Sequence, residues 1–391
     1  MGPAVPRTAP PDSTDEQPAA PPRVTDEAAA AAAAARSPEQ LAFTSYLRVA
    51  AMSAVVLIHT LSGIVVNPDI RGSLTWWAGT ALDLGVAWAV PLFIMVSGAL
   101  LLAPRAGEGA MAFYRRRLDR IAIPLVVAHV GYFAVRARLL HQDLTAQVVI
   151  RDLLRADVYP QLYFFWIILG LYLVTPLLRA ILRDQARNQM LVIGAAAVGW
   201  MCLVAASVRV LQITGGAGSP WQPAALTLWI PYLGYFILGY ALRDLVLERR
   251  WLLVALAVFV VADVLVIWHY GVGIRNPVIS VLLGGLYQGL PVAASAIALF
   301  VIGRSVIHPD ARLARPHFAI PMRRLGDLTL GVFVIHLVVL RYGWKIPGLG
   351  YAQDKVDLGR SLVLFLIVLV VSFLICAVIA RIPVARRAIG L

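Results

Sequence analysis

Residues 47–60 read LRVAAMSAVVLIHT and form the start of the first long apolar segment of the chain. The stretch consists mostly of Ala, Val, Leu, Ile and Met, yet it carries Arg48 near one end and His59 near the other. The chain of 391 residues is 60% hydrophobic and only 14% charged, whereas soluble domains carry about 25% charged residues. This composition predicts an all-α, polytopic membrane protein.

Apolar runs long enough to cross a bilayer recur along the chain. A membrane-spanning helix needs about 20 such residues. Residues 41–391 are therefore predicted to form one transmembrane domain of about ten helices. The weakest run is the eighth, which Gly284, Gly285, Gly289 and Pro291 interrupt. The predicted spans lie near 46–66, 76–102, 121–140, 163–182, 189–209, 225–246, 250–270, 281–303, 326–345 and 360–381.

Residues 1–40 differ from the rest of the chain. They are rich in Pro, Ala, Asp and Glu and include an Ala run at 28–35. No charged segment precedes an apolar core, so the pattern is not that of a signal peptide. Too few large apolar side chains are present to form a core, and we expect a disordered cytoplasmic tail.

Positive charge is distributed unevenly over the predicted loops. Of the 34 Lys and Arg residues, 22 fall on the side that holds both termini and 11 on the opposite side, with Arg48 inside a span. The richer side should be cytoplasmic. The net charge of +13 is thus explained by membrane orientation, and nucleic acid is not an expected partner. An Arg-rich, Lys-poor composition favours a bacterial source and hence the bacterial cytoplasmic membrane.

Arg48 and His59 share one face of the first predicted helix. Eleven residues correspond to about three turns and a rise of about 16 Å. In the plainer interpretation, Arg48 extends to the interface and His59 is a hydrogen-bonded core residue. Ionisable groups at the middle of a bilayer are costly and usually functional, so His59 is a candidate catalytic residue.

A second histidine, His336, is predicted to lie at the same depth in the membrane as His59. In LGDLTLGVFVIHLVV (325–339), His336 is about 10 residues, or about 15 Å, from the start of the ninth span. Asp263 of the seventh span lies at similar depth and either orients a histidine or hydrogen-bonds a neighbouring helix. No comparable sequence feature supports a functional role for His129 or His269.

The segment FYRRRLDRIAIP (113–124) supplies a basic cluster at the mouth of the third span. Arg117 and Arg120 are three residues apart and lie on one helix face. They either anchor the helix at anionic lipid or bind a phosphate, which suits guanidinium groups. No Walker A, GxGxxG, HExxH or GxSxG motif is present, and Cys202 and Cys376 lie apart, so no nucleotide hydrolase, serine or zinc hydrolase or metal site is predicted.

These residues together resemble the acyltransferase-3 family of integral-membrane acyltransferases over residues 40–385. LGLYLVTPLLR (169–179) and YFILGYALR (235–243) are similar to the branch that O-acetylates surface polysaccharide or its lipid-linked precursors. The chain departs from the family at Gln161 and Tyr163, where His and Trp are common, and at Phe333, where Tyr is usual. The motif matches are Arg48 and His59; Pro91, Phe93, Ser97 and Gly98 of PLFIMVSGALLL; Arg117, Arg120, Ile121 and Pro124; and Thr329, Gly331, Phe333 and His336.

The resemblance implies an acyl-CoA co-substrate, usually acetyl-CoA, and no permanently bound cofactor. It also implies a hydroxyl acceptor on a glycan or lipid-linked sugar. We expect Arg48, Arg117 and Arg120 to bind the donor phosphates. His59 is then the general base and His336 orients the acceptor or stabilises the oxyanion, with an acyl-histidine intermediate as the alternative. The further substrate-binding candidates are Ser97, Thr329 and Phe333.

Two other classes of protein are compatible with the sequence. A transporter or flippase of a polysaccharide or lipid-linked sugar also carries intramembrane His and Arg, and a membrane scaffold would carry incidental polar contacts. The residues do not choose among polysaccharide, glycolipid, peptidoglycan and small antibiotic acceptors, nor do they set the acyl length.

Overall fold

The computed structural model describes residue 2 and residues 42–103, 108–215, 224–272, 276–284, 286–349 and 357–391. The tail predicted at 1–40, Gly2 apart, lies outside these residues. Within them the fold is all-α. The helices are α1 (Ala42–Val65), α2 (Leu74–Leu84), α3 (Ala89–Leu101), α4 (Ala110–Leu139), α5 (Ala146–Arg155), α6 (Tyr163–Leu182), α7 (Arg187–Ile213), α8 (Leu233–Leu242), α9 (Arg249–Gly271), α10 (Pro277–Leu283), α11 (Leu290–Val306), α12 (Pro316–Gly343) and α13 (Leu358–Ile379).

The predicted polytopic membrane architecture is confirmed. In the described part of the chain, nine helical segments are long and apolar enough to cross a membrane. The predicted eighth span, 281–303, takes a different form, because α10 ends before Gly284 and Pro291 stands in the first turn of α11. Proline lacks an N–H and is tolerated in the first turn of a helix, so α11 begins there and reaches 17 residues.

The predicted second span is broken into α2 and α3. Gly85 ends α2, its N–H bonding the carbonyl of Ala81 at 3.0 Å, and α3 starts at Ala89. Pro91 lies in the first turn of α3, where its missing N–H costs no helical hydrogen bond.

The third and ninth spans begin earlier than predicted. α4 starts at Ala110 rather than near 121, and α12 starts at Pro316 rather than near 326. Arg117 and Arg120 therefore lie within a regular helix, in agreement with their predicted place on one helix face. The apolar pattern alone marked only the lipid-embedded parts of these helices.

The helix α1 lies at the centre of the bundle and packs against α2, α3, α11, α12 and α13. By contrast, few residues of α7, α9 and α13 are buried. The pair α3 and α8 packs most closely, because a Cβ at Gly98 would overlap the Phe236 carbonyl and one at Gly239 the Met95 carbonyl. Small residues let membrane helices approach in this way.

Helix ends that carry basic residues meet at one end of the bundle, which we call the Arg48 end. Arg179 Nε donates to the Leu101 carbonyl at 2.8 Å, and Arg187 Nε donates to the Ala241 carbonyl at 3.2 Å. Arg304 Nε donates to the Arg243 carbonyl at 2.8 Å. These contacts agree with the predicted alternation of the spans. That this end is cytoplasmic stays a prediction.

Candidate active site

A cavity of about 420 Å³ opens at the Arg48 end, and we call it the arginine cavity. It lies between α1, α3, α4, α6 and α12. All six residues that were predicted to bind the donor or substrate line it, although they come from four helices distant in sequence. They are Arg48, Ser97, Arg117, Arg120, Thr329 and Phe333.

The arginine cavity is electropositive. Its lining includes three arginines and one carboxylate, Asp327. Arg48 Nη2 lies 3.4 Å from Asp327 Oδ1, and a side chain at Gly326 would lie 3.1 Å from the same Nη2. The guanidinium of Arg117 lies 6.0 Å from the ring centre of Tyr172. The excess of cations, on stems held by packing, suits a phosphorylated ligand.

The hydroxyl groups in this cavity are oriented by their own helices. Ser97 Oγ donates to the Phe93 carbonyl and Thr329 Oγ1 donates to the Gly326 carbonyl, each at 2.8 Å. Their protons are thus engaged, and the oxygens are left as acceptors.

His59 and His336 come into contact across α1 and α12. Their ring centroids are 5.3 Å apart with the planes at 40°. His336 is fully buried, and its Nδ1 lies 2.9 Å from the Phe333 carbonyl and 3.0 Å from the Val332 carbonyl. Because carbonyls only accept, Nδ1 carries the proton and Nε2 is an acceptor, for which no partner is found among the described residues.

A second cavity, of about 260 Å³, is lined by His59, and we call it the histidine cavity. Its polar lining consists of His59, Gln161, Tyr163 and Tyr287. His336 lines neither cavity. His59 can therefore meet a ligand directly, whereas His336 is placed to act on His59.

Three phenylalanines line both cavities and separate them: Phe93, Phe164 and Phe333. The ring centroids of Phe93 and Phe164 are 5.8 Å apart, and those of Phe164 and Phe333 are 5.3 Å apart. The ring of Phe333 also lies 6.1 Å from His336. A ligand that joins the two cavities passes between these rings.

The sequence analysis did not identify Gln161 as a site residue. Its side chain is buried, and neither its amide oxygen nor its amide nitrogen has a hydrogen-bond partner among the described residues. The neighbouring Tyr132 hydroxyl donates instead to the Val334 carbonyl at 2.8 Å. The available signal was the departure from the family pattern at this position.

Other polar groups have structural partners away from the two cavities. Ser295 Oγ donates to Asp263 Oδ1 at 2.6 Å, so Asp263 bonds a neighbouring helix rather than a histidine of the site. The Trp166 indole N–H donates to His129 Nε2 at 3.2 Å. Asp327, by contrast, lines the arginine cavity, and the sequence did not single it out because an acidic residue near the end of a predicted span has many surface roles. In the described residues, no group of three or more His, Cys, Asp or Glu side chains is placed to hold a metal ion.

Comparison with known proteins gives one finding. The family model described as an acyltransferase domain matches residues 41–381. No curated protein and no solved structure matches the chain.

Proposed function

The chain belongs to the acyltransferase-3 family, a family of membrane acyltransferases, and we propose that it moves an acyl group from acyl-CoA to a hydroxyl of a glycan or lipid-linked sugar. The observation that carries this proposal is that two cavities meet at Phe93, Phe164 and Phe333, and that His59 lines the second of them. One cavity is cationic and opens at the Arg48 end, and the other is lined by hydrogen-bonding side chains.

The donor enters the arginine cavity from the cytoplasm. Phosphates of acyl-CoA pair with Arg117 and Arg120 near the mouth, and Arg48 lies deeper along the path. The rise of about 16 Å from Arg48 to His59 suits the extended pantetheine arm. The thioester then reaches the Phe93–Phe164–Phe333 constriction, and we take acetyl as the acyl group because it is the usual one that the family resemblance implies.

His59 acts as the general base. It takes the proton of the acceptor hydroxyl while the hydroxyl oxygen bonds to the thioester carbon. The C–S bond then breaks and the CoA sulfur leaves as thiolate, which receives the proton from His59. The products are the acyl ester and CoA, and His59 returns to its starting state.

His336 is a positioning residue in this scheme. Its Nδ1–H is held by two backbone carbonyls, so its Nε2 is an acceptor that has no partner among the described residues. The ring centroids of His336 and His59 are 5.3 Å apart, and in the reacting complex this Nε2 would accept a hydrogen bond from the N–H of His59. That bond would fix the tautomer of His59 and turn the lone pair of the other ring nitrogen toward the acceptor, as a carboxylate does in a catalytic triad.

The acceptor occupies the histidine cavity. The Gln161 amide offers one donor face and one acceptor face, and neither is used by the described protein groups. A sugar, whose hydroxyls both donate and accept, satisfies both atoms at once. Tyr163 and Tyr287 supply further hydroxyls beside it.

The test is acyl transfer by the purified protein in neutral detergent, with radiolabelled acetyl-CoA and a panel of glycans and lipid-linked sugars. We expect His59→Ala to lower the transfer rate by about 10²–10⁴-fold, the range for a general base. The matched control is His317→Ala, since His317 is exposed at the start of α12 and should leave the rate unchanged. Undiminished transfer by His59→Ala refutes the assigned base. Movement of a glycan across proteoliposomes without any acyl transfer would instead support the transporter.

A further inference from the structure

A third cavity, separate from the two described above, lies at the end of the bundle opposite Arg48. It has a volume of about 540 Å³ and lies between α7, α9, α10 and the turn Leu286–Gln288. We call it the α7–α9 cavity. Its volume falls in the range of small-molecule sites.

Among the described residues, one permanent cation, Arg209, lines this cavity. Arg209 Nε donates to Ser280 Oγ at 2.7 Å, and Arg209 Nη1 donates to Gln212 Oε1 at 3.1 Å. Both partners are neutral, and Arg209 has no carboxylate partner among the described residues. His269 also lines the cavity, and its Nε2 is buried without a protein partner in the described part of the chain.

These polar groups favour an anionic ligand in the cavity. Arg209 is anchored by two hydrogen bonds and retains N–H groups for a ligand, since a guanidinium has five donors. A phosphate oxygen matches the guanidinium fork. An anionic group can pair with the charge of Arg209, whereas a neutral ligand cannot.

The rest of the cavity is apolar and borders the lipid-facing surface. Val208, Val266 and Val292 form part of the wall. Val204 and Leu286, which also line it, are 46% and 43% exposed. Because few residues of α7 and α9 are buried, an alkyl chain can leave the cavity along them into the bilayer. The matching ligand has a phosphate at one end and an apolar chain at the other.

A single turn separates this cavity from the histidine cavity. Leu286 and Gln288 line the α7–α9 cavity, whereas Tyr287 between them lines the histidine cavity. The turn is anchored because the Tyr235 hydroxyl donates to the Tyr287 carbonyl at 3.1 Å. A polar group attached to the phosphate therefore has only this turn to cross before it reaches the histidine cavity, which His59 lines.

We propose that the α7–α9 cavity binds the phosphate of an amphiphilic acceptor, with Arg209 as its counter-ion and the apolar chain lying along α7 and α9. The sugar on that phosphate then extends over the Leu286–Gln288 turn to His59. This inference rests on the proposed function for its second half, because it names the acceptor as a lipid-linked phosphate. The binding of an alkyl phosphate does not depend on acyl transfer.

The first experiment measures binding of dodecyl phosphate to the purified full chain in neutral detergent, by titration calorimetry. Dodecanol lacks the phosphate, and inorganic phosphate lacks the chain. We expect saturable binding of dodecyl phosphate, and at least tenfold weaker binding of the other two. Arg209→Gln should weaken dodecyl phosphate binding by about tenfold or more, the loss for one charge-assisted hydrogen bond, and Arg209→Lys should retain most of it.

The matched control is Arg138→Gln. Arg138 is an exposed residue in the last turn of α4, at the same end of the bundle, and it should not change binding. Equal affinity of wild type and Arg209→Gln overturns the site, provided that both give the same elution profile and melting temperature. Equal affinity for inorganic phosphate and dodecyl phosphate overturns the proposal that the ligand is amphiphilic, because the site would then bind a simple anion.

The second experiment connects the cavity to catalysis. We expect Arg209→Gln to raise the KM for a lipid-linked phosphate acceptor and to leave the KM for acyl-CoA unchanged. If the cavity binds alkyl phosphate but Arg209→Gln leaves the KM for that acceptor unchanged, the bound molecule is a structural lipid. This result overturns the assignment of the acceptor to the cavity. Alkyl phosphate binding in a protein that transfers no acyl group at all refutes the proposed function while the phosphate site stands.

Discussion

The unpartnered amide of Gln161 gives the sharpest prediction. We consider Gln161→Met, which keeps the length and volume of the side chain and removes both hydrogen-bonding atoms. An uncharged hydrogen bond contributes about 0.5–1.5 kcal/mol. Loss of two such bonds to a sugar acceptor is about 1–3 kcal/mol, which lowers the acceptor kcat/KM by about five- to 150-fold.

The same substitution should not destabilise the fold. The described protein groups make no hydrogen bond with the Gln161 side chain, so Met breaks none and is expected to leave the melting temperature unchanged or to raise it.

The assay follows CoA release with a thiol reagent, with and without acceptor, alongside thermal unfolding in detergent. Acceptor-independent release should be unaffected in Gln161→Met, because the donor cavity does not include this residue. The control is Gln147→Met, an exposed position on α5. An unchanged acceptor kcat/KM, or a melting temperature lowered by several degrees, would refute the reasoning.

Further predictions concern the histidine pair, the donor site and acid stability. Substitution His336→Phe should lower kcat without raising the KM for acyl-CoA. The variant His336→Gln should retain part of the activity, because the amide oxygen of Gln can still accept a hydrogen bond from His59. A fall in the affinity for acyl-CoA would argue against a positioning role. Each of Arg117→Gln and Arg120→Gln should raise the KM for acyl-CoA by about tenfold or more, as for a lost charge-assisted hydrogen bond. In both variants this KM should depend less on salt concentration than in wild type. An unchanged KM in both variants would show that these arginines are not part of the donor site. Burial raises the pKa of Asp152, but ion pairs with Arg136 and Arg151 at 2.8 and 2.9 Å outweigh it and hold that pKa below 3.8. The carboxylate thus stabilises the fold above pH 3.8 and loses this effect as the pH falls through its folded-state pKa. Melting temperatures of Asp152→Asn should accordingly lie below those of wild type at neutral pH and converge with them in acid, and parallel curves would contradict this.

Much of the fold was predictable because membrane insertion depends on local composition. Each apolar run of about 20 residues can satisfy its backbone hydrogen bonds internally as a helix. Nine of the predicted spans accordingly correspond to the long apolar helical segments of the described residues, two of which are interrupted. The errors lie where glycine and proline end helices inside an apolar run, at Gly85 and at Gly284 to Pro291. Apolar runs also missed the polar first turns of α4 and α12.

By itself the sequence determined the membrane class, the order of the spans and the shared helix face of Arg48 and His59, because these follow from composition and from the 1.5 Å rise of a helix. Only the tertiary structure decided that His336 touches His59 without lining either cavity, and that three phenylalanines separate the arginine cavity from the histidine cavity. It also decided that Gln161 lines the histidine cavity with no hydrogen-bond partner among the described residues. These features depend on which helix faces meet. That choice comes from packing between distant segments, such as the close approach of α3 and α8 at Gly98 and Gly239, and no local pattern encodes it.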